Sequence, residues 1–225
     1  MLADIRRNDV ETIWCLGDLV GYGASPNECV ALAAEVTDVC LVGNHDLVVL
    51  ERLDISTFSP AAAQAARWTR TRLDKESRDF MSGLEPGNGS LPIGIFHASP
   101  RDPVWEYVLS PVLADASLDA MEQRVGAVGH SHVALSFNRP DGGRTAGDQA
   151  PGGQESDISE GRWLLNPGAV GQPRDGDPRA AWLIVDMDKW TASWMRTRYD
   201  IEEAADAIRD AGLPATLADR LYYGQ

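Results

Sequence analysis

Only four histidines occur in this chain, His45, His97, His130 and His132. They lie in three short segments, Gly43–Asp46 (GNHD), Phe96–Ser99 (FHAS) and Gly129–His132 (GHSH), each just after an expected strand. Gly17-Asp18 holds the same position after the first strand. Imidazole and carboxylate donors without a thiolate suit Mn, Fe, Zn, Co or Ni. Loops at the carboxyl ends of strands in an open α/β sheet converge on one crevice. Asp18, Asn44, His45, His97, His130 and His132 can therefore meet despite their separation along the chain. In GHSH the histidines are at i and i+2, which point opposite ways from extended backbone. Both reach one site only if the backbone turns there or two metals lie side by side. Each segment alone has a bland reading: Gly-Asp is a common turn, and a lone His97 is a satisfied core histidine. The ordered set, with no stray histidine, points to a metal centre.

The elements that must carry these loops follow from caps and apolar runs. Thr12–Leu16 reads as a short strand, and Ser25-Pro26 opens a helix to about Glu35. Asp38–Val42 is a second strand, ended by Gly43. Ser59-Pro60 starts an Ala-rich helix, and helical character resumes through Phe80 until Pro86-Gly87. Pro92–Phe96 is a third strand, and a fourth leads into Gly126–Gly129. Beyond it, Val133–Phe137, Arg162–Leu165, Ala180–Asp186 and Thr191–Arg198 read as strands without long helices between them. Arg139–Gly161, rich in Gly, Pro and acids, is expected as a mobile loop. Asp200 caps an amphipathic helix, and Pro214 starts a short last one. A βαβ half followed by a hairpin half implies an α/β fold of two mixed sheets packed face to face, with helices outside.

Composition bounds the chemistry. The 225 residues are 44% hydrophobic and 24% charged, ordinary for a globular protein. No apolar run approaches membrane-spanning length, and MLADIRRNDV lacks the apolar core of a signal peptide. The formal net charge of −14 repels nucleic acid and anionic membrane. Phosphate can be handled only where something positive reverses that sign, and a bound metal is the usual means. Three cysteines without a CxxC spacing suit a reducing cytoplasm, with Cys15 and Cys40 read as small buried residues. The tryptophans read as core. Trp190 and Trp194 share one face of a late hairpin, which raises the prospect of a subunit interface and a homo-oligomer.

The motif order G-D, G-N-H-D, H, G-H-x-H resembles the calcineurin-like metallophosphoesterases, whose pattern is D-x-H, G-D, G-N-H-[DE], H, G-H-x-H. GDLVGYGASPNECV, FHASPRDPVWEYVLS and NPGAVGQPRDGDPRAAW extend the likeness to one bacterial branch of small single-domain phosphoesterases. The resemblance implies a single domain over residues 1–225 with a four-layer α/β/β/α sandwich. It also implies that Asp18 bridges two metals, that Asn44, His97 and His130 complete one site, and that His132 belongs to the other. His45 would contact the phosphoryl group or protonate the leaving oxygen, and Asp46 would orient His45 through its ring nitrogen. Two cations would clamp a phosphate and acidify a bridging water for in-line attack on phosphorus. Arg101, Arg174 and Arg179 are the cations available for a substrate phosphate or carboxylate. Their bland reading is an ion pair with Asp102, Asp175 or Asp177.

The sequence departs from the family at its first motif, because no D-x-H precedes Gly17-Asp18. Met1–Asn8 reads as the tail of a helix, so a strand and a helix start of roughly 20 residues are missing on ordinary element lengths. The second metal would then keep only Asp18 and His132, and a buried sheet position would be empty. Three readings follow: a truncated chain of an ordinary two-metal enzyme, a one-metal or defective hydrolase, and a non-catalytic remnant that binds a metal or ligand. The expected activity is phosphodiester hydrolysis. The alternative is a phosphomonoesterase acting on phosphoprotein or nucleotides, including dinucleoside polyphosphates.

Overall fold

A computed structural model describes residues 1–225. In chain order the elements are α1 (Leu2–Arg7), β1 (Trp14–Cys15), α2 (Pro26–Val36), β2 (Val39–Cys40), α3 (Asn44–Val49), α4 (Pro60–Arg72) and α5 (Lys75–Ser82). There follow β3 (Gly87–Asn88), β4 (Gly94–Phe96), α6 (Pro111–Asp119), β5 (Val125–Val128), β6 (Ala134–Arg139), β7 (Ala146–Gln149), β8 (Glu155–Asp157) and β9 (Arg162–Pro167). The chain ends with β10 (Ala180–Asp186), β11 (Thr191–Thr197), α7 (Ile201–Asp210) and α8 (Ala215–Asp219). The caps read at Ser59 and Asp200 operate, whereas Ser25 accepts no backbone N–H although its helix starts at Pro26 as expected. Ser59, Asp74, Ser110 and Asp200 accept backbone N–H groups at the starts of α4, α5, α6 and α7.

Strands β3-β4-β5-β9-β6-β7 form one six-stranded sheet, parallel across β4–β5–β9 and antiparallel elsewhere. Adjacent residues of β9 serve opposite faces, as strand periodicity requires. Leu165 packs with Val125, Ala134, Ala192 and Trp194, which fills the space between this sheet and the antiparallel sheet β10-β11-β8. Leu164 joins Val128, Leu135 and Phe137 under Ala114 and Leu118 of α6. The helices α2–α5 gather around Val30, Val48, Ala66 and Met81, and α7 and α8 pack on α4. No helix is long and apolar enough to cross a membrane.

Three expectations about the fold are corrected. There are three sheets rather than two, and only the six-stranded one is mixed. Strands β1 and β2 are two residues each and pair only with one another, because the chain leaves both for the site loops at once. The second correction concerns Arg139–Gly161, which is not one loop. Strand β7 lies along β6, and β8 lies along β11, so the segment links the two sheets. Every β7 residue is exposed, so its AGDQ sequence carries no apolar alternation. A Cβ on Gly147 would sit 2.0 Å from the Ser136 carbonyl oxygen, and its φ of +156° lies in a region that favours glycine, so only glycine permits this pairing. The third correction is to the cysteines. Cys15 and Cys40 stand directly opposite one another and are half-buried rather than buried.

The tryptophan hairpin faces inward. Trp194 is 1% exposed and donates its indole N–H to the Asn166 carbonyl at 2.9 Å, while Trp190 lies under the Arg124 guanidinium. Trp194→Ala should therefore cost about 3–5 kcal/mol of stability in urea unfolding, as large core truncations do. Val112→Ala, at a site 78% exposed, should stay within about 0.5 kcal/mol of the parent chain.

Candidate metal centre

Four loop ends deliver the site. Asp18 follows β1, Asn44 and His45 open α3 after β2, His97 follows β4, and His130 and His132 follow β5. Asp18, His130 and His132 have φ of +57°, +58° and +59°, left-handed values that are rare outside glycine. Two such turns in succession answer the i, i+2 problem in GHSH, since the chain reverses at each histidine and both rings turn toward Asp18. The ligand atoms of Asp18, His97 and His130 all lie within 4.8 Å of one another. The Asn44 amide oxygen stands 3.2 Å from His97 Nε2 and 3.1 Å from His130 Nδ1.

The donor chemistry fits a cation. His97 Nδ1 donates to the Leu16 carbonyl at 2.7 Å, and His132 Nδ1 donates to the Gln172 carbonyl at 2.8 Å. A carbonyl only accepts, so both protons sit on Nδ1 and both Nε2 atoms present lone pairs. These lone pairs face the Asp18 carboxylate, with Oδ2 3.6 Å from His97 Nε2 and 4.0 Å from His132 Nε2. Asn44 adds a further acceptor oxygen. Acceptors that face acceptors in a buried cluster repel until a cation stands between them, and neutral imidazole with carboxylate and amide oxygen is a set that transition metals take. Burial opposes ionisation of Asp18, yet His97, His132 and His45, where protonated, hold its carboxyl below the usual carboxylate range. Its Oδ1 also accepts the His45 backbone N–H at 2.9 Å.

His45 is buried between the Tyr22 and Phe58 rings, each 4.4 Å away between centroids. Its Nδ1 has no hydrogen-bond partner. The expected orienting contact from Asp46 is absent. Asp46 lies at the third position of α3, and its carboxylate accepts the Val20 N–H at 3.0 Å and the Gly43 N–H at 2.9 Å. Successive helical side chains diverge by about 100°, so Asp46 cannot reach its neighbour's ring and instead ties the Asp18 loop to the helix start.

The three arginines separate. The Arg179 guanidinium is clamped by Asp177, with Nε 2.9 Å from Oδ1, which is the bland reading of that residue. Arg101 pairs with Glu106 at 3.3 Å rather than with Asp102. Arg174 alone stands beside the site, and its backbone N–H donates to the His132 carbonyl at 2.9 Å.

Three further residues position the site; of these only Asn166 had a signal in the sequence, since the resemblance implies that the Asn166-Pro167-Gly168 turn lies near the active-site side. Asn166, read as part of a turn, is 1% exposed and donates its amide to the Gly129 carbonyl at 2.8 Å and to Ser131 Oγ at 3.0 Å, which fixes the GHSH loop. Tyr107 lies 4.0 Å over the His130 ring. Gln172 anchors His132. Asn166 lies within β9, and nothing local in the sequence marks Tyr107 or Gln172.

A mixed α/β fold with loop-end Asp, Asn and His ligands gathered on one carboxylate defines a metallophosphoesterase-type protein. The profile of the calcineurin-like phosphoesterase superfamily domain matches residues 1–189, and this chain belongs to that family. A Methanocaldococcus jannaschii protein, MJ0912, is 34% identical over 230 residues, which cover all of this chain and 91% of that one. The crystal structure of a metallophosphoesterase from Sphaerobacter thermophilus is similar at 35% identity and a TM-score of 0.88, with all of this chain and 93% of that chain covered. The hypothetical protein PH1004 from Pyrococcus horikoshii shares the fold at 17% identity, with a TM-score of 0.75 over all of this chain and 90% of that one.

Two outcomes test this geometry. A Cβ on Gly43 would stand 2.0 Å from Asp18 Oδ1, so Gly43→Ala should weaken manganese binding at least about tenfold in calorimetry. The second concerns pH in the metal-free protein. Burial lowers the pKa of His45 and of His130 to about 4, and it lowers that of His132 as well. The unfolded chain protonates these rings near pH 6.5, so their contribution is present above that value and is lost as pH falls toward 4. Asp46, raised to about 7 by burial and the Asp18 charge, acts in the opposite sense: its contribution is present at low pH and is lost as pH rises through 7. Three rings outweigh one carboxyl, so the urea midpoint should fall from pH 7 to pH 5, and His45→Gln should flatten that slope.

Proposed function

We propose that this protein is a metal-dependent phosphohydrolase that acts on phosphodiesters. The observation that carries the reading is the opposition of lone pairs among Asp18, Asn44 and His97, with the His97 tautomer fixed from behind and His130 gathered beside them. These four residues would hold one divalent transition metal. Asp18 and His132 offer only two donors toward a second, fewer than such ions usually take from protein. A bound cation there supplies Lewis-acid polarisation of a phosphoryl oxygen and acidification of water.

The chain's own residues supply the rest. His45, neutral at pH 7 with its pKa near 4, offers a ring N–H as a hydrogen bond to a phosphoryl oxygen. Tyr22 and Phe58 fix that ring in place of the absent Asp46 contact. Asp46 and Asn166 hold the two loops that bear the ligands.

The manganese-loaded chain should hydrolyse bis(p-nitrophenyl) phosphate faster than p-nitrophenyl phosphate. His45→Ala should lower kcat/KM by roughly 10²–10⁴-fold. Asp18→Asn should remove both turnover and metal binding. Faster turnover of the monoester would favour the phosphomonoesterase reading. One bound metal per chain with no turnover of either ester would favour a metal-binding remnant and refute the hydrolase reading.

A further inference from the structure

Arg174 is a cation without an anion in a chain where acids outnumber bases 34 to 20. The acids closest in sequence are engaged elsewhere. Asp175 pairs with the buried Arg196, and Asp177 pairs with Arg179. The half-buried Arg174 guanidinium meets only neutral partners, Gln172 Oε1 at 3.0 Å and the Tyr22 hydroxyl at 3.3 Å, and its carbon lies 5.8 Å over the Tyr22 ring. The other face of its surroundings is the reaction site, because Tyr22 stacks on His45 and the Arg174 backbone is bonded to His132. The Arg174 guanidinium is thus half-buried beside the site without a carboxylate partner, which suits it to an anion. Tyr22 touches both the His45 ring and the Arg174 guanidinium, so an anion held by Arg174 lies beside the ring that would contact the scissile phosphoryl group.

We propose that Arg174 receives a second anionic group of the substrate, so that the preferred class is a phosphate ester bearing a further phosphate or carboxylate next to the scissile phosphoryl group. This rests on the phosphohydrolase reading and narrows it. Arg174 is a specificity-determining residue. It discriminates between substrates and does not take part in bond breaking.

The test is ligand binding to the manganese-loaded chain by calorimetry at fixed free manganese. Glycerol 3-phosphate and 3-phosphoglycerate differ by a carboxylate, and AMP and ADP differ by a second phosphoryl group. The parent chain should bind the more anionic member of at least one pair about tenfold more tightly, and the pair that responds identifies the second group. Arg174→Met should bring that ratio within about twofold of one, with the glycerol 3-phosphate Kd moved by less than about threefold. Arg174→Lys should restore part of the ratio, and Arg174→Gln replaces the Met variant if the latter does not fold. Arg179→Met, in which a clamped arginine is removed, should behave as the parent chain. Ratios near one in the parent chain, or unchanged in Arg174→Met, would overturn the proposal. So would equal weakening of both members of a pair, or the same loss in Arg179→Met. Absence of turnover with these ratios intact would instead overturn the phosphohydrolase reading and leave the anion-binding role of Arg174 supported.

Discussion

Asp18 must be buried and ionised at once, and the architecture around it is arranged to meet that demand. Its side chain is 12% exposed, an expensive place for a carboxylate. The His45 backbone N–H offsets part of the cost, and the facing imidazole lone pairs leave the rest to a cation. Gly43 lets the second loop come within van der Waals limits of Asp18, and Asp46 ties the Asp18 loop to the start of α3 through two backbone N–H groups. The site is therefore one cluster with a single centre, and a change in any loop reaches Asp18 directly.

The strained backbone belongs to the same economy. Asp18, His130 and His132 hold left-handed φ values that cost of order 1–3 kcal/mol each, and they persist only because hydrogen bonds over-determine the loops. Asn166 reaches across from β9 to the GHSH loop, and Trp194 fixes Asn166 from the second sheet. The packing between the sheets is thus joined to ligand geometry through two side chains. The parallel run β4–β5–β9 makes this possible, because it places three strand ends side by side.

Much of this was legible in the sequence, and the exceptions have physical reasons. Cap-plus-proline starts at Ser25 and Ser59 and the long apolar strand at Ala180 announced themselves, because local chemistry alone determines them. The candidate metal ligands were legible because histidine is scarce here and each falls at a strand end. Helix α3 was not, since NHDLVV is one short turn whose first residues serve the site rather than a periodic face. Strands β7 and β8 carry no apolar alternation, because edge pairing through backbone asks nothing of their side chains. Asp46 was assigned to the wrong partner because adjacency in sequence was taken for adjacency in space. Arg174 and Arg179 look alike in sequence, and only the positions of Asp175 and Asp177 separate them.

The net charge of −14 gives the centre its meaning, since phosphate can approach this surface only where a cation gathers the field. The most direct measurement is an anomalous-difference map from crystals of this chain soaked in manganese. The account predicts a single strong peak ligated by Asp18, Asn44, His97 and His130. No peak there, or manganese bound only to surface carboxylates, would contradict it.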